Sequence, residues 1–192
     1  MNKLKPPVII SFMGVDGSGK TTLAKKINKI FKKSRYLHLK PYILFKDRRT
    51  TVKNPHIYKK NIFFISLIRL ISWLVSYKFF FFKHKNTKLY IFDRYAHDIL
   101  IDPLRYRHSI SKNLTKLILN FFPQPNIWIF TSASFKIIKS RKLELSNKEL
   151  SRQMKDYSIF FKNKKNVIRL NTCLSDKILI KILIKKIKYL LN

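Results

Sequence analysis

The sequence predicts an α/β fold, a five-stranded parallel sheet with helices on both faces and a helical lid. Two observations carry that prediction. Short apolar runs with strand character alternate with longer stretches of helical periodicity along the 192-residue chain, and such alternation leads to a parallel sheet covered on both sides. All three glycines fall between Gly14 and Gly19, directly after the first apolar run, where about a dozen spread over the chain would be ordinary at roughly 7% usage.

Each element follows in order. Residues 8–13 (VIISFM) read as the first strand, and 20–33 as a helix with Leu23, Ala24, Ile27, Ile30 and Phe31 at helical spacing. Residues 36–39 are a short strand ended by Pro41, and 40–58 are loop-like. A long helix is expected over 59–83, and a buried strand over 89–92 that closes on Asp93. Residues 111–121 read as a helix capped by Ser111, and 126–130 as a strand led in by Pro125. Helices are expected over 134–142 and 148–161, around a polar turn with Asn147 as cap. A strand over 167–170 and a terminal helix over 175–191 complete the set. No repeat or linker divides the chain, so residues 1–192 read as one domain.

Composition narrows the function classes. With 46% apolar residues the chain can bury a real core. The single cysteine, Cys173, excludes an internal disulfide framework and fits a reducing cytoplasm; it reads as a small buried residue near a strand end. Lys and Arg number 42 against 9 Asp and Glu, for a net charge of +33. The lysines scatter along the chain and no nucleic-acid motif accompanies them, so non-specific polyanion binding is expected and a specific nucleic-acid partner is not. Residues 62–82 are long and apolar enough to span a bilayer, but Arg69 and Lys78 interrupt them and the flanking strands must stay contiguous. A core-packed helix with one functional edge is the expectation there, without membrane contact; interfacial association of Phe79–Phe82 with their flanking lysines is the weaker alternative.

The glycine cluster reads Gly14-Val15-Asp16-Gly17-Ser18-Gly19-Lys20-Thr21-Thr22, a G-x-x-x-x-G-K-T motif between a strand and a helix. In that context it is a phosphate-binding loop of the P-loop NTPase type. Inward-pointing backbone N–H groups and the helix N-terminus favour phosphate oxygens. Lys20 is expected to reach the β- and γ-phosphates, and the Thr21 hydroxyl to sit on Mg²⁺. A nucleoside triphosphate, ATP, and Mg²⁺ are therefore expected.

A second motif, Asp93-Arg94-Tyr95-Ala96-His97-Asp98, runs on to Asp102-Pro103-Leu104-Arg105-Tyr106-Arg107. Asp93 ends a buried strand, where a carboxylate can face a metal shell or an arginine. Arg94, Arg105 and Arg107 are fork-shaped donors for phosphate or carboxylate. A third segment, residues 140–149 followed by Arg152, joins two helices through a polar turn and could close over transferring phosphates, with Arg141 or Arg152 at the developing charge. An ordinary charged helical hairpin is the alternative reading of the same residues.

Together these three segments resemble the thymidylate kinase-like family of P-loop nucleoside monophosphate kinases, and more narrowly a divergent bacterial branch of it. The likeness rests on the phosphate loop with its Asp16-Gly17, on Asp93-Arg94-Tyr95-Ala96-His97-Asp98 with Asp102-Pro103-x-Arg105-Tyr106-Arg107, on Arg141-Lys142-x-Glu144, and on Asn54-Pro55-His56. The resemblance implies a lid at about residues 141–153 that carries Arg141, Glu144 and Arg152. It places Asp16 at the acceptor's sugar hydroxyl, Arg94 at the acceptor phosphate, and Asp93 in the metal and phosphate network. It sets Asn171 and Thr172 near the adenine. Tyr95, Asp98 and Arg105 join the acceptor site, with Arg69 and Trp73 as the nearest candidates for holding the base. It also implies a homodimer through an apolar helix face.

Two departures qualify the likeness. The Arg-Glu-Pro segment that the family places after the second strand reads His38-Leu39-Lys40-Pro41-Tyr42 here, and the family's Asn-Arg on the long helix is not evident. The expectation is ATP-dependent phosphoryl transfer to a nucleoside monophosphate, with dTMP first. A monophosphate brings its own ionised nucleophile. An alcohol acceptor, such as a sugar or sugar phosphate, would need a base, and Asp98 and Asp102 are carboxylates that could serve. A nucleotide-binding protein with weakened catalysis is the third alternative.

Overall fold

The computed structural model describes residues 6–41, 60–84, 86–142 and 145–191. The expected Asn54-Pro55-His56 feature and Glu144 of the lid lie outside the described residues. Five strands, β1 (Val8–Met13), β2 (Ser34–His38), β3 (Leu89–Asp93), β4 (Ile127–Ser132) and β5 (Val167–Asn171), form one sheet in the order β2-β3-β1-β4-β5. Every pairing is parallel. Six α-helices are described: α1 (Lys20–Ile30), α2 (Phe63–Lys83), α3 (Lys112–Leu119), α4 (Phe135–Arg141), α5 (Asn147–Lys162) and α6 (Asp176–Leu191). A 3₁₀ segment, Ala96–Leu100, follows β3.

The described residues divide into two compact units. The first, Met1–His38 with Lys85–Tyr95 and Pro125–Asn192, holds the sheet; the second is Leu39–His84 with Ala96–Gln124. In the first, side-chain alternation along the strands supplies two apolar faces. Val8, Ile10 and Phe12 of β1, Leu89 and Ile91 of β3, and Ile127 and Ile129 of β4 pack with Leu23, Ala24 and Ile27 of α1 and Leu179, Leu183 and Ile187 of α6. The opposite parity of β4 meets α5 through aromatic rings. Phe130 stacks on Tyr157 and Phe161 at 6.2 and 5.0 Å between centroids, and Trp128 meets Phe160 edge-on at 6.0 Å.

Helix boundaries follow local chemistry. The Ser111 and Ser134 hydroxyls each accept the N–H three residues on, from Leu114 and Ile137. α5 is capped by Ser146 rather than the expected Asn147, its hydroxyl accepting Glu149 N–H at 3.2 Å. Ser146-x-x-Glu149 is a capping-box pattern that moves the helix start one residue upstream. α1 ends at Ile30 instead of running to Lys33, with Phe31 as C-cap. Cys173, expected to be buried, is exposed, because it lies in the turn after β5, where its N–H donates to the Asn171 side chain at 3.1 Å.

The second unit is built on α2 and α3. Ser66 and Ser109 share a hydroxyl hydrogen bond of 2.9 Å, and Asn61 N–H donates to the Arg107 carbonyl at 2.9 Å. The Tyr77 hydroxyl donates to the Leu39 carbonyl, and its ring meets Phe122 edge-on at 5.4 Å. The long helix starts at Phe63, and the expectation of a core-packed helix holds for one side only. Ser66, Leu70, Trp73, Ser76, Tyr77 and Phe80 are buried, whereas the opposite side is exposed and equally apolar. Polarity does not distinguish the two sides of α2, so periodicity of apolar residues could not reveal which was covered.

Candidate active site

The first unit places the expected phosphate loop at the C-terminal end of β1. Gly14, with φ of +155°, sits where a Cβ would run into the Thr131 carbonyl and the Ser18 hydroxyl. Only glycine lets the loop lie this close to β4. Behind it, Thr131 donates to the Met13 carbonyl at 3.3 Å, so at the 2.8 Å contact between the two hydroxyls Ser18 donates to Thr131. Gly19 caps α1 in the left-handed region, φ +82°, which turns the chain into the helix and leaves the first N–H groups of α1 at the loop.

Three charged side chains meet over this loop. Lys20 donates to one carboxylate oxygen of Asp16 at 2.8 Å and to the Val15 carbonyl at 3.3 Å. The same Asp16 oxygen is ion-paired with Arg94. Arg94 also donates to the Tyr157 hydroxyl at 3.4 Å and adopts φ +70°, with its N–H on the Phe12 carbonyl at 2.9 Å. A left-handed arginine directly after a strand costs backbone energy that its ion pair offsets. Lys20 and Arg94 are both buried. Burial, and after it the repulsion of Arg94, holds the Lys20 ammonium below its usual range against the opposing pull of Asp16.

Asp93, fully buried at the end of β3, accepts from the Tyr36 hydroxyl at 2.9 Å through one oxygen. Its other oxygen, Oδ1, is buried with no hydrogen-bond partner among the described residues. Desolvation and that carboxylate raise the Tyr36 phenol well above its ordinary value. An orphaned carboxylate oxygen is a hard donor of the kind Mg²⁺ takes alongside substrate phosphates. Thr21 in the first turn of α1 is exposed and can offer a second. These residues fit the ion.

Arg141 at the end of α4 reaches the loop from the other side. Its guanidinium donates to the Gly17 carbonyl at 3.3 Å, to the Thr172 hydroxyl at 3.5 Å and to the Thr172 carbonyl at 3.5 Å. Thr172 is itself fixed by its N–H and hydroxyl on the Ser132 carbonyl, at 2.8 and 3.1 Å. Two residues expected at different parts of the site, Arg141 and Thr172, are thus joined beside Gly17. Arg152 is paired within its own helix: Glu149 takes it at 2.6 and 2.8 Å and Asp156 at 2.6 Å, all within α5. Asn171 is exposed at the end of β5. Tyr95, expected at the acceptor, is a core residue, edge-on to Phe92 at 4.9 Å and to Trp128 at 5.8 Å.

In the second unit, the candidate acceptor residues form their own cluster. Arg69 donates to the Tyr106 carbonyl at 2.7 Å. Trp73 meets the Tyr106 ring edge-on at 5.6 Å, with the Lys40 ammonium 5.1 Å from the Trp73 ring centroid. The Trp73 indole N–H is buried with no hydrogen-bond partner among the described residues. The Tyr106 hydroxyl donates to Asp98 at 2.7 Å, and Asp102 takes the Arg105 side chain at 2.9 Å and its N–H at 3.2 Å. Asp98 and Asp102 thus hold the shape of the 102–107 segment.

Sequence reasoning missed four residues here. Tyr36 and Tyr157 carry no motif; the pairing of β2 with β3 brings the first to Asp93, and α5 brings the second to Arg94. Lys40 was one cation among many. Thr131 carried no motif, although a small polar residue closing an otherwise apolar strand behind a glycine loop is a usable signal.

No family model matches the chain, and no curated protein matches it in sequence. Solved structures do match. Thymidylate kinase from Candida albicans superposes with a TM-score of 0.66 at 14% identity, covering 96% of this chain and 92% of that one. Deoxyadenosine kinase from M. mycoides, bound to the product dCMP, gives 0.65 at 18%, covering 95% and 100%. YorR from Bacillus subtilis, in complex with phosphorylated GDP, gives 0.61 at 15%, covering 94% and 96%. The chain has the fold of the P-loop nucleoside and nucleotide kinases.

Proposed function

We propose that this chain is an ATP- and Mg²⁺-dependent kinase that transfers the γ-phosphoryl group to a nucleoside monophosphate, with dTMP as the first acceptor to test. One observation carries the reading. A glycine loop, a buried lysine, an arginine beside it and a strand-end carboxylate with an orphaned oxygen converge in one unit. Phosphoryl transfer needs those parts and little else, because catalysis is positioning plus neutralisation of charge.

The roles follow from placement. The loop N–H groups and Lys20 bind the triphosphate, and Arg141, anchored beside Gly17, stabilises charge that develops on it. Asp93 and Thr21 would hold Mg²⁺, which supplies further neutralisation of the phosphates when bound. Arg94 is the cation for the acceptor phosphate. Asp16 keeps Lys20 and Arg94 apart and oriented until phosphates arrive, and can accept from an acceptor hydroxyl. Both acceptor chemistries occur on this fold, since a thymidylate kinase phosphorylates a monophosphate and a deoxyadenosine kinase a nucleoside hydroxyl.

The test is ADP release from ATP and Mg²⁺ against nucleoside monophosphates, nucleosides, sugars and sugar phosphates, with Lys20→Ala alongside. The expected result is turnover with dTMP that falls at least about a hundredfold in Lys20→Ala, the scale of removing one preorganised donor to developing charge. Turnover with hydroxyl acceptors alone would replace the monophosphate reading by an alcohol kinase. ATP binding without transfer to any acceptor would leave a nucleotide-binding protein.

A further inference from the structure

The outer side of α6 carries a pattern that the kinase reading does not use. Leu179, Leu183 and Ile187 form its buried side, set against the sheet. At about 3.6 residues per turn, Lys177, Lys181, Lys185 and Lys188 fall in an arc of about 80° away from the core, and all four are exposed. Ile178, Ile182 and Tyr189 fall in the adjoining arc of about 40°, exposed at 50%, 43% and 74%. Lys186 stands on the far flank of this apolar row, its ammonium 5.3 Å from the Tyr189 ring centroid. The row is about 16 Å long and has lysines on both sides.

A shallow trough of about 540 Å³ follows the lysine row, lined by those four lysines with Ile180 and Ile184. Its walls are aliphatic and its rim cationic, as lysine stems laid along apolar surface produce. Charge selects the occupant of this face. α1 covers the same side of the sheet, with Lys25 and Lys29 exposed. Across the two helices the one acid is Asp176, which Lys26 holds. A second copy of this face would meet it with like charge. A nucleic acid would satisfy the lysines and leave Ile178 and Ile182 in water. An anionic lipid surface serves both rows, with headgroups for the ammonium groups and an acyl boundary for the apolar side chains.

We propose that the α6 face docks on an anionic bilayer, with Ile178, Ile182 and Tyr189 at the boundary between headgroups and acyl chains and the flanking lysines on the headgroups. Lysine suits the place because its stem stays on apolar surface while its ammonium reaches outward. Tyrosine suits it because its ring and hydroxyl belong on the two sides of such a boundary. The buried side of α6 keeps its place in the core, so docking requires no unfolding. The first unit supplies every group involved, and the proposal stands whether or not the chain is a kinase.

Vesicle flotation tests this with two compositions, phosphatidylcholine alone and an equal mixture with phosphatidylglycerol. Native protein is expected to float with the anionic vesicles and not with phosphatidylcholine. K181Q/K185Q is expected to lose about thirtyfold in affinity, from two contacts of about 1 kcal/mol each at tenfold per 1.4 kcal/mol. The control K155Q/K162Q removes the same charge from exposed positions of α5 on the other face of the sheet, and is expected to stay within about threefold of native. I178Q/I182Q/Y189Q keeps every charge and is expected to lose at least about tenfold. Circular dichroism reads its folding, and K181Q/K185Q, which changes only exposed positions, tests the face should that variant not fold. Equal losses in the two lysine pairs would leave net charge alone as the cause and overturn the proposal. So would undiminished binding by the folded apolar variant, or failure of native protein to float. A K181Q/K185Q protein that loses a thymidine oligonucleotide and keeps the vesicles would assign the face to nucleic acid and overturn it as well.

Discussion

Asp16→Asn is the perturbation that examines the site most directly. The carboxylate of Asp16 stands between Lys20 and Arg94, whose side chains are each only 5% exposed, and is itself 13% exposed. The substitution preserves shape and removes the negative charge, which leaves two buried cations facing each other. Breaking a buried pair by removing one partner costs about 3–5 kcal/mol, and the partial exposure of Asp16 puts this case near 3. For a chain of this size about 1 kcal/mol moves Tm by ~2–4 °C, so the expected fall is roughly 6–12 °C. Differential scanning fluorimetry reads it. Inorganic triphosphate is expected to restore more of the loss in Asp16→Asn than it adds to the native protein, because its oxygens replace the missing carboxylate. A fall of less than about 2 °C would refute the reasoning, as would an equal gain from triphosphate in both proteins.

Two further outcomes follow from titration. On the proposed kinase reading Lys20 binds phosphate when protonated, and burial lowers its pKa below the ordinary lysine value; ATP affinity is therefore expected to weaken as pH rises through the alkaline range. Lys20→Arg, which stays charged, should flatten that dependence, and isothermal titration across pH measures it. His108 is buried, with its pKa pushed down to about 4 by desolvation first and then by Arg69 and Lys60. Thr115 donates its hydroxyl to the Ser111 carbonyl at 2.8 Å, so His108 Nε2 carries the proton at its 2.8 Å contact with Thr115. The folded value lies below the ordinary value of about 6.5, so the unfolded chain takes up the proton first on acidification. Stability from neutral His108 is then full above about pH 6.5 and lost down to about 4, by at most about 3 kcal/mol. Urea melts at pH 7 and pH 5 should show the loss in native protein and a smaller one in His108→Gln.

The fold was legible because strand and helix signals do not compete along most of this chain. Val8–Met13 and Leu89–Asp93 are apolar at every position or nearly so, as strands buried on both faces must be. The phosphate loop was legible for a different reason, since a glycine-poor sequence keeps glycine only where Gly14 and Gly19 need it. What escaped depended on sheet order and on exposure. Tyr36 reaches Asp93 because β2 pairs with β3, register His38 to Asp93, and no local pattern carries that. Tyr95 follows Asp93-Arg94 in the motif and so looked functional, yet the chain turns its ring into the core. On α2 the sequence showed an apolar helix, and only the structure shows which side is buried among the described residues.

The acidic residues explain more of this protein than the basic ones. Of nine, seven lie among the described residues, and each has a defined partner. Asp16 holds Lys20 and Arg94, Asp93 holds Tyr36, Asp98 holds Tyr106, and Asp102 holds Arg105. Glu149 and Asp156 share Arg152, and Asp176 pairs with Lys26. With 42 basic residues in the chain, most cations have no carboxylate to meet and must be solvated or neutralised by something else. An exposed lysine in such a chain is one of many, and its loss relieves repulsion as often as it breaks a contact. A buried carboxylate is not replaceable in that way, because the donor it holds stays behind. Substitutions at Asp16, Asp93, Asp98 and Asp102 therefore separate the parts of this molecule, with the phosphate loop answering to the first two and the 102–107 segment to the others.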